Sequence, residues 1–315
     1  MHDPVDGGRP EGGSRRLDEN DLRTEAEPVA VHNAHSHGTP PERASLVGRQ
    51  YSLPVQEVTE KGAIAYAEAT GDDPARSVDR GFAPPMYAVR LIAGLWRAVY
   101  QDPVLGTADQ LVLHAEQRML FAGDLRIGAQ VHAHGWVKGM IGFGFGDAAL
   151  IRNVIADETG RVLVSMECTL AIQGSSDCPP DGRRARALDR GEQVCTESRL
   201  LDEHAPHRYA DAADDHNPLH LDDELARTAG HPCRIVHGMC TLATGFAALS
   251  ERLLRDPDDR VRYLRARFSR PVLPGSEVTY SAHTTGAAGT YALSASCGGR
   301  PVLKNTWLRL AGQNR

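Results

Sequence analysis

YAEATGD at residues 66–72 and YADAADD at residues 209–215 share a tyrosine, two alanines and a closing aspartate at the same spacing. Farther along, Arg118, Phe121, Gly128 and Val131 recur as Arg265, Phe268, Gly275 and Val278. The surrounding patterns repeat in the same order. In the first half, residues 60–70 read as a short helix ending near Gly71. Pro84-Pro85 then lead into MYAVRLIAGLWRAVY, whose Met86, Val89, Ile92, Leu95, Trp96 and Val99 fall at helical spacing. Strand-like segments follow: LVLHAEQRMLF, AQVHAHGWVKG, MIGFGFGDAALIRNVIAD and VLVSMECTLAI. In the second half HRYADAADD is a short helix and TLATGFAALSERLLR a longer one, with Leu242, Phe246, Leu249 and Leu253 as its core stripe. RVRYLRARFS, EVTYSAHTT, TYALSASC and VLKNTWLRL then read as strands. A long helix followed by strands, twice over, predicts a duplicated α+β domain.

The duplication gives the 315 residues their layout. Residues 1–45 are polar and lack apolar periodicity, so a disordered tail is expected, with His32, His35 and His37 solvated in it. Residues 46–172 form the first domain, the Gly-, Pro- and Arg-rich stretch 173–192 a linker, and 193–311 the second domain. With 35 Lys and Arg against 41 Asp and Glu, the net charge of −6 speaks against a nucleic-acid partner and against a polybasic membrane surface. No apolar run approaches the ~20 residues that span a bilayer. The acidic, Gly-rich start does not read as a signal peptide, and the six cysteines form neither a disulfide framework nor a zinc pattern. The expectation is a cytoplasmic protein.

Function is to be sought where the halves stop matching. The second continues Asp215-His216-Asn217-Pro218-Leu219-His220, the first Asp72-Asp73-Pro74-Ala75-Arg76. Asn217 can cap a turn and Pro218 fits its first position, a geometry that could bring Asp215 and His220 together. A carboxylate and a neutral imidazole make an acid/base pair able to hold water; the plainer reading is a capped turn with a packed histidine. Ile235-Val236-His237-Gly238-Met239 directly precedes the second long helix, so Gly238 falls near a helix N-terminus. Its unsatisfied amides can receive a carbonyl that gains negative charge. The equivalent helix start in the first half is Pro84-Pro85-Met86, and proline donates no amide.

Residues 209–245, with Ala213, Asp215, Asn217, Pro218, Leu219 and His220 followed by His237-Gly238-Met239, resemble the hydratase motif of the MaoC-like, (R)-specific enoyl-CoA hydratase family. RFSRPVLPGSEV at 267–278 resembles that family's following strand segment. The first half, including LHAEQ at 113–117 and Ala83-Pro84-Pro85, resembles the degenerate partner domain of two-domain members. The resemblance covers about residues 50–311. It implies a tandem double hot-dog fold, antiparallel sheets wrapped around long central helices, packed as an internal pseudo-dimer; further self-association is left open. It also implies syn addition of water to a trans-2-enoyl thioester, or the reverse elimination from a (3R)-hydroxyacyl thioester. Asp215 and His220 would be the catalytic pair, Asn217 would orient the loop or contact the pair, and the Gly238 amide would hold the thioester carbonyl. His237 and Met239 would shape the helix start. The family carries Gly just before the catalytic Asp; this chain has Asp214, which tolerates positive φ less well than Gly.

The substrate carrier is expected to be coenzyme A or acyl carrier protein. No cofactor and no metal are expected: the six histidines between 204 and 237 have no compact ligand spacing. GFGFGD at 142–147 lacks the spacing of a nucleotide loop and reads as a glycine-punctuated strand or bend. Two competing functions remain, an acyl thioesterase that aims the same water at the thioester carbon and a non-catalytic acyl-binding subunit.

Overall fold

The computed structural model describes residues 42–105, 111–144, 146–174, 176, 178, 189–256 and 259–311. The expected disordered tail therefore lies outside the described residues up to 41, and much of the expected linker does too. Residues 42–46, at the tail's end, form a 3-10 turn from which Arg43 reaches the Leu105 carbonyl.

The first half comprises β1 (Gln50–Ser52), β2 (Gln56–Glu57), α1 (Glu60–Thr70), α2 (Ala88–Tyr100), β3 (Val112–Phe121), β4 (Gln130–Phe143), β5 (Gly146–Asp157) and β6 (Val162–Gln173). The second comprises β7 (Gln193–Leu201), α3 (Ala205–Ala213), α4 (Asp223–Thr228), α5 (Gly238–Leu253), β8 (Arg260–Phe268), β9 (Ser276–Thr284), β10 (Thr290–Cys297) and β11 (Arg300–Ala311). Local chemistry sets several boundaries. Thr59 caps α1 by accepting the Gly62 amide, and Gly71 ends it at φ 69°, a left-handed cap open to glycine at no cost. AQVHAHGWVKG runs on through MIGF as one strand, β4, rather than ending at Gly139; the chain reverses between Phe143 and Gly146 instead of at Gly139-Met140.

Among the described residues, eleven strands form one antiparallel sheet in the order β1-β4-β5-β6-β3-β8-β11-β10-β9-β7, with β2 also on β4. Substituting β7, β9, β10, β11 and β8 for β1, β4, β5, β6 and β3 reads this order backwards, so the halves are related by a pseudo-twofold axis. The seam is β3 against β8, where Arg118 pairs directly with Arg265, the two residues matched by the repeat. The other matched pair meets as well: the Tyr66 and Tyr209 hydroxyls lie 3.5 Å apart, with ring centroids at 5.9 Å.

The sheet wraps α2 and α5. Leu91, Ile92, Leu95 and Val99 bury the core face of α2, and in α5 every residue from Met239 to Ser250 is buried. Gly245 lets the Tyr280 ring lie where a Cβ would stand. One apolar core runs through both halves, from Leu46 to Leu310. Among the described residues, no helix is long and apolar enough to cross a membrane.

Candidate active site

α3 ends at Ala213, and the next residue, Asp214, turns the chain in the left-handed region at φ 56°, ψ 33°. The Asp215 amide bonds back to the Ala210 carbonyl at 3.1 Å, which closes the helix. Asn217 then caps a 3-10 turn over Pro218–His220, its Oδ1 accepting the Leu219 amide at 3.1 Å. Asn217 thus shapes the loop. The turn delivers His220, whose Nδ1 lies 2.8 Å from the Ile235 carbonyl. A carbonyl only accepts, so Nδ1 carries the proton and Nε2 keeps its lone pair.

Asp215, His220, His237, Gly238 and Met239 line one cavity of about 540 Å³. Asp215 and His220 share this cavity without a direct hydrogen bond. His237 Nε2 donates to the Asp215 carbonyl at 3.0 Å, and its ring lies 3.8 Å from that of His220 between centroids. Burial pushes the pKa of His220 below its usual 6.5; Asp215 and the Ile235 carbonyl oppose the shift, and His231 adds to it. Burial and the neighbouring His220 hold His237 still further down. Both imidazoles are neutral at neutral pH.

Gly238 is the first residue of α5 and faces the cavity. The amide there is one that the helix cannot satisfy itself. A Cβ at this position would stand 2.9 Å from Phe268 Cδ1, so glycine is required by close approach. Met239 is buried behind it in the core.

The opposite wall comes from the first half, through Trp96, Tyr100, Val112 and His114. No local pattern in the sequence singles out His114. It stands between Trp96 and Phe268, with ring centroids 5.1 and 5.0 Å away, and burial takes its pKa down to about 4. Only the cross-half pairing of β3 with β8 brings it to the site. The exposed side chains of Arg267, Arg270 and Lys304 mark the cavity's mouth, with Arg267 and Lys304 adjacent in register. Among the described residues, no group of three or more His, Cys, Asp and Glu side chains is placed to hold a metal ion.

The pseudo-twofold axis generates a second location, and there the same turn is rebuilt with different side chains. Asp73 caps a 3-10 turn over Pro74–Arg76 by accepting the Ala75 amide at 3.0 Å. Asp73, Pro74 and Arg76 therefore stand where Asn217, Pro218 and His220 stand in the other half. The Ala83 amide bonds Leu125 as the Val236 amide bonds Val272, which puts Pro85 in the place of Gly238. Arg76 spans from Asp72 to Ser250 and Glu251. The cavity left beside it is about 110 Å³.

Residues 186–294 match the family model described as MaoC like domain. Among curated proteins, the peroxisomal multifunctional enzyme type 2 of Drosophila melanogaster is 29% identical over 175 residues, covering 52% of this chain and 28% of that protein. The peroxisomal enoyl-CoA hydratase 2 of Arabidopsis thaliana is 39% identical over 61 residues, 19% of this chain and 20% of that one. The matched region thus spans under a third of either relative. A MaoC-like dehydratase structure from Phytophthora capsici superposes with a TM-score of 0.71 and is 19% identical, over 86% of this chain and 98% of its own.

Proposed function

From the premise that residues 186–294 are a MaoC-like domain within a tandem double hot-dog fold, we propose that the protein hydrates trans-2-enoyl thioesters to (3R)-hydroxyacyl thioesters, or runs the reverse dehydration. The observation that carries this reading is that Asp215, His220 and Gly238 line one cavity, with His220 Nδ1 held by the Ile235 carbonyl so that Nε2 keeps its lone pair. Asp215 and His220 hold the water. Its oxygen bonds C3 while His220 Nε2 takes one of its protons, and the electron pair of the C2–C3 double bond moves toward the thioester oxygen. The Gly238 amide, at the positive end of α5, stabilises that oxyanion. The proton then passes to C2 on the same face, and the double bond is consumed. The cationic mouth of Arg267, Arg270 and Lys304 suits a phosphorylated carrier, coenzyme A or the prosthetic arm of acyl carrier protein.

The test follows enoyl absorbance and free thiol together, with trans-2-butenoyl-CoA as substrate. Reversible loss of the enoyl signal without thiol release is expected, and His220→Ala lowers kcat/KM about 100-fold or more. Because burial lowers the His220 pKa, the acid limb of the kcat/KM profile falls below pH 6.5. Thiol release matching an irreversible loss of the enoyl-thioester signal would identify a thioesterase. No turnover on a panel of enoyl thioesters would identify a binding subunit.

A further inference from the structure

Arg90 and Arg97 lie seven residues apart on α2, two turns along one face. Both reach across the domain boundary to the end of α3. Arg90 Nη1 donates to the Asp211 and Ala212 carbonyls, each at 3.2 Å. Arg97 Nη2 donates to the Asp214 carbonyl at 3.1 Å and to its Oδ2 at 2.8 Å. Carbonyls at a helix C-terminus have no partner inside the helix, and the dipole there favours a cation. Asp214 itself sits at φ 56°, where a side chain is strained. The residue after it is Asp215, whose own carbonyl is pinned by His237 on the far side.

We propose that Arg97, seconded by Arg90, is a positioning residue for Asp215, holding the left-handed Asp214 through its carboxylate and carbonyl. The half without chemistry then supplies the geometry of the half with it. The proposal rests on the hydratase reading for its kinetic test. The Arg97 and Asp214 side chains are 50% and 44% exposed, and so open an ion pair adds little to global stability. Its removal acts on the direction of one carboxylate, where a displacement near 1 Å is costly.

Arg97→Ala, Arg97→Lys, Asp214→Gly and the double variant Asp214→Gly/Arg97→Ala separate the alternatives. Arg97→Ala is expected to lower kcat about 10-fold or more with KM changed less than about threefold, and Arg97→Lys to recover part of the loss. Glycine adopts the left-handed region unaided, so with Gly at 214 the further removal of Arg97 costs no more than about threefold in kcat. An unchanged kcat in Arg97→Ala, or an equal loss in both backgrounds, overturns the proposal. If the wild type turns over no enoyl thioester, the hydratase reading fails instead, and hydrogen exchange of the Asp215 amide decides the clamp. About 10-fold faster exchange in Arg97→Ala supports it, and unchanged exchange overturns it.

Discussion

His114 illustrates how a single ring can set an acid limit on the fold. Burial holds its pKa at about 4 in the folded protein, against 6.5 for an ordinary imidazole. Between those values the unfolded chain binds a proton that the folded chain does not. The stabilisation is complete above pH 6.5 and is lost as pH falls toward 4, by about 1.4 kcal/mol per pH unit. His114→Phe keeps a ring between Trp96 and Phe268 and removes the titration. Urea unfolding at pH 6.5 and pH 5 is expected to show a smaller stability loss in the variant; equal losses would refute a buried neutral ring. The sequence carried Asp215, His220 and Gly238 because each follows from local rules, a capped turn and a helix start set against a diverged repeat. His114 follows from no local rule, since its neighbour Phe268 arrives from another strand of the other half.

At the scale of elements, the two 3-10 turns show what a one-residue deletion conceals. Read letter by letter, the first half has no counterpart to His220; folded, Arg76 stands in its place. Placing a histidine there is not enough to build a site, because Pro85 offers no amide and only about 110 Å³ is open beside it. An Asp215→Asn/Arg76→His double variant is therefore expected to be as inactive toward enoyl thioesters as Asp215→Asn alone, and recovered turnover would contradict this account. The long helices and the buried strands were legible from apolar periodicity. The edge strands were not. β1 and β2 are only three and two residues long, and β7 alternates exposed and half-buried residues with one free edge. Such segments carry too little apolar pattern to declare themselves.

At the scale of the molecule, the seam between the halves is electrostatic at its centre. Arg118 and Arg265 face each other, and Glu116 Oε1 lies 2.7 Å from Arg118 Nε and 3.0 Å from Arg265 Nε. Burial pulls the Glu116 carboxyl upward, yet the two guanidiniums hold it below the usual range. Glu116→Gln removes the carboxylate that the two buried cations share and is expected to cost about 3 kcal/mol. Calorimetry should show a lower midpoint with one transition, since sheet and core are shared; two transitions would mean that the halves melt separately. An unchanged midpoint would mean that Glu167, 3.6 Å from Arg118, compensates alone.

The meeting of Arg118 with Arg265, and of Tyr66 with Tyr209, has an evolutionary consequence. In an assembly of two identical subunits, any mutation in the gene alters both sides of a twofold contact at once. Joined in one reading frame, the two sides mutate separately. Arg265 can stack on Trp307 while Arg118 turns to Glu167, and one copy can carry arginine where the other carries histidine.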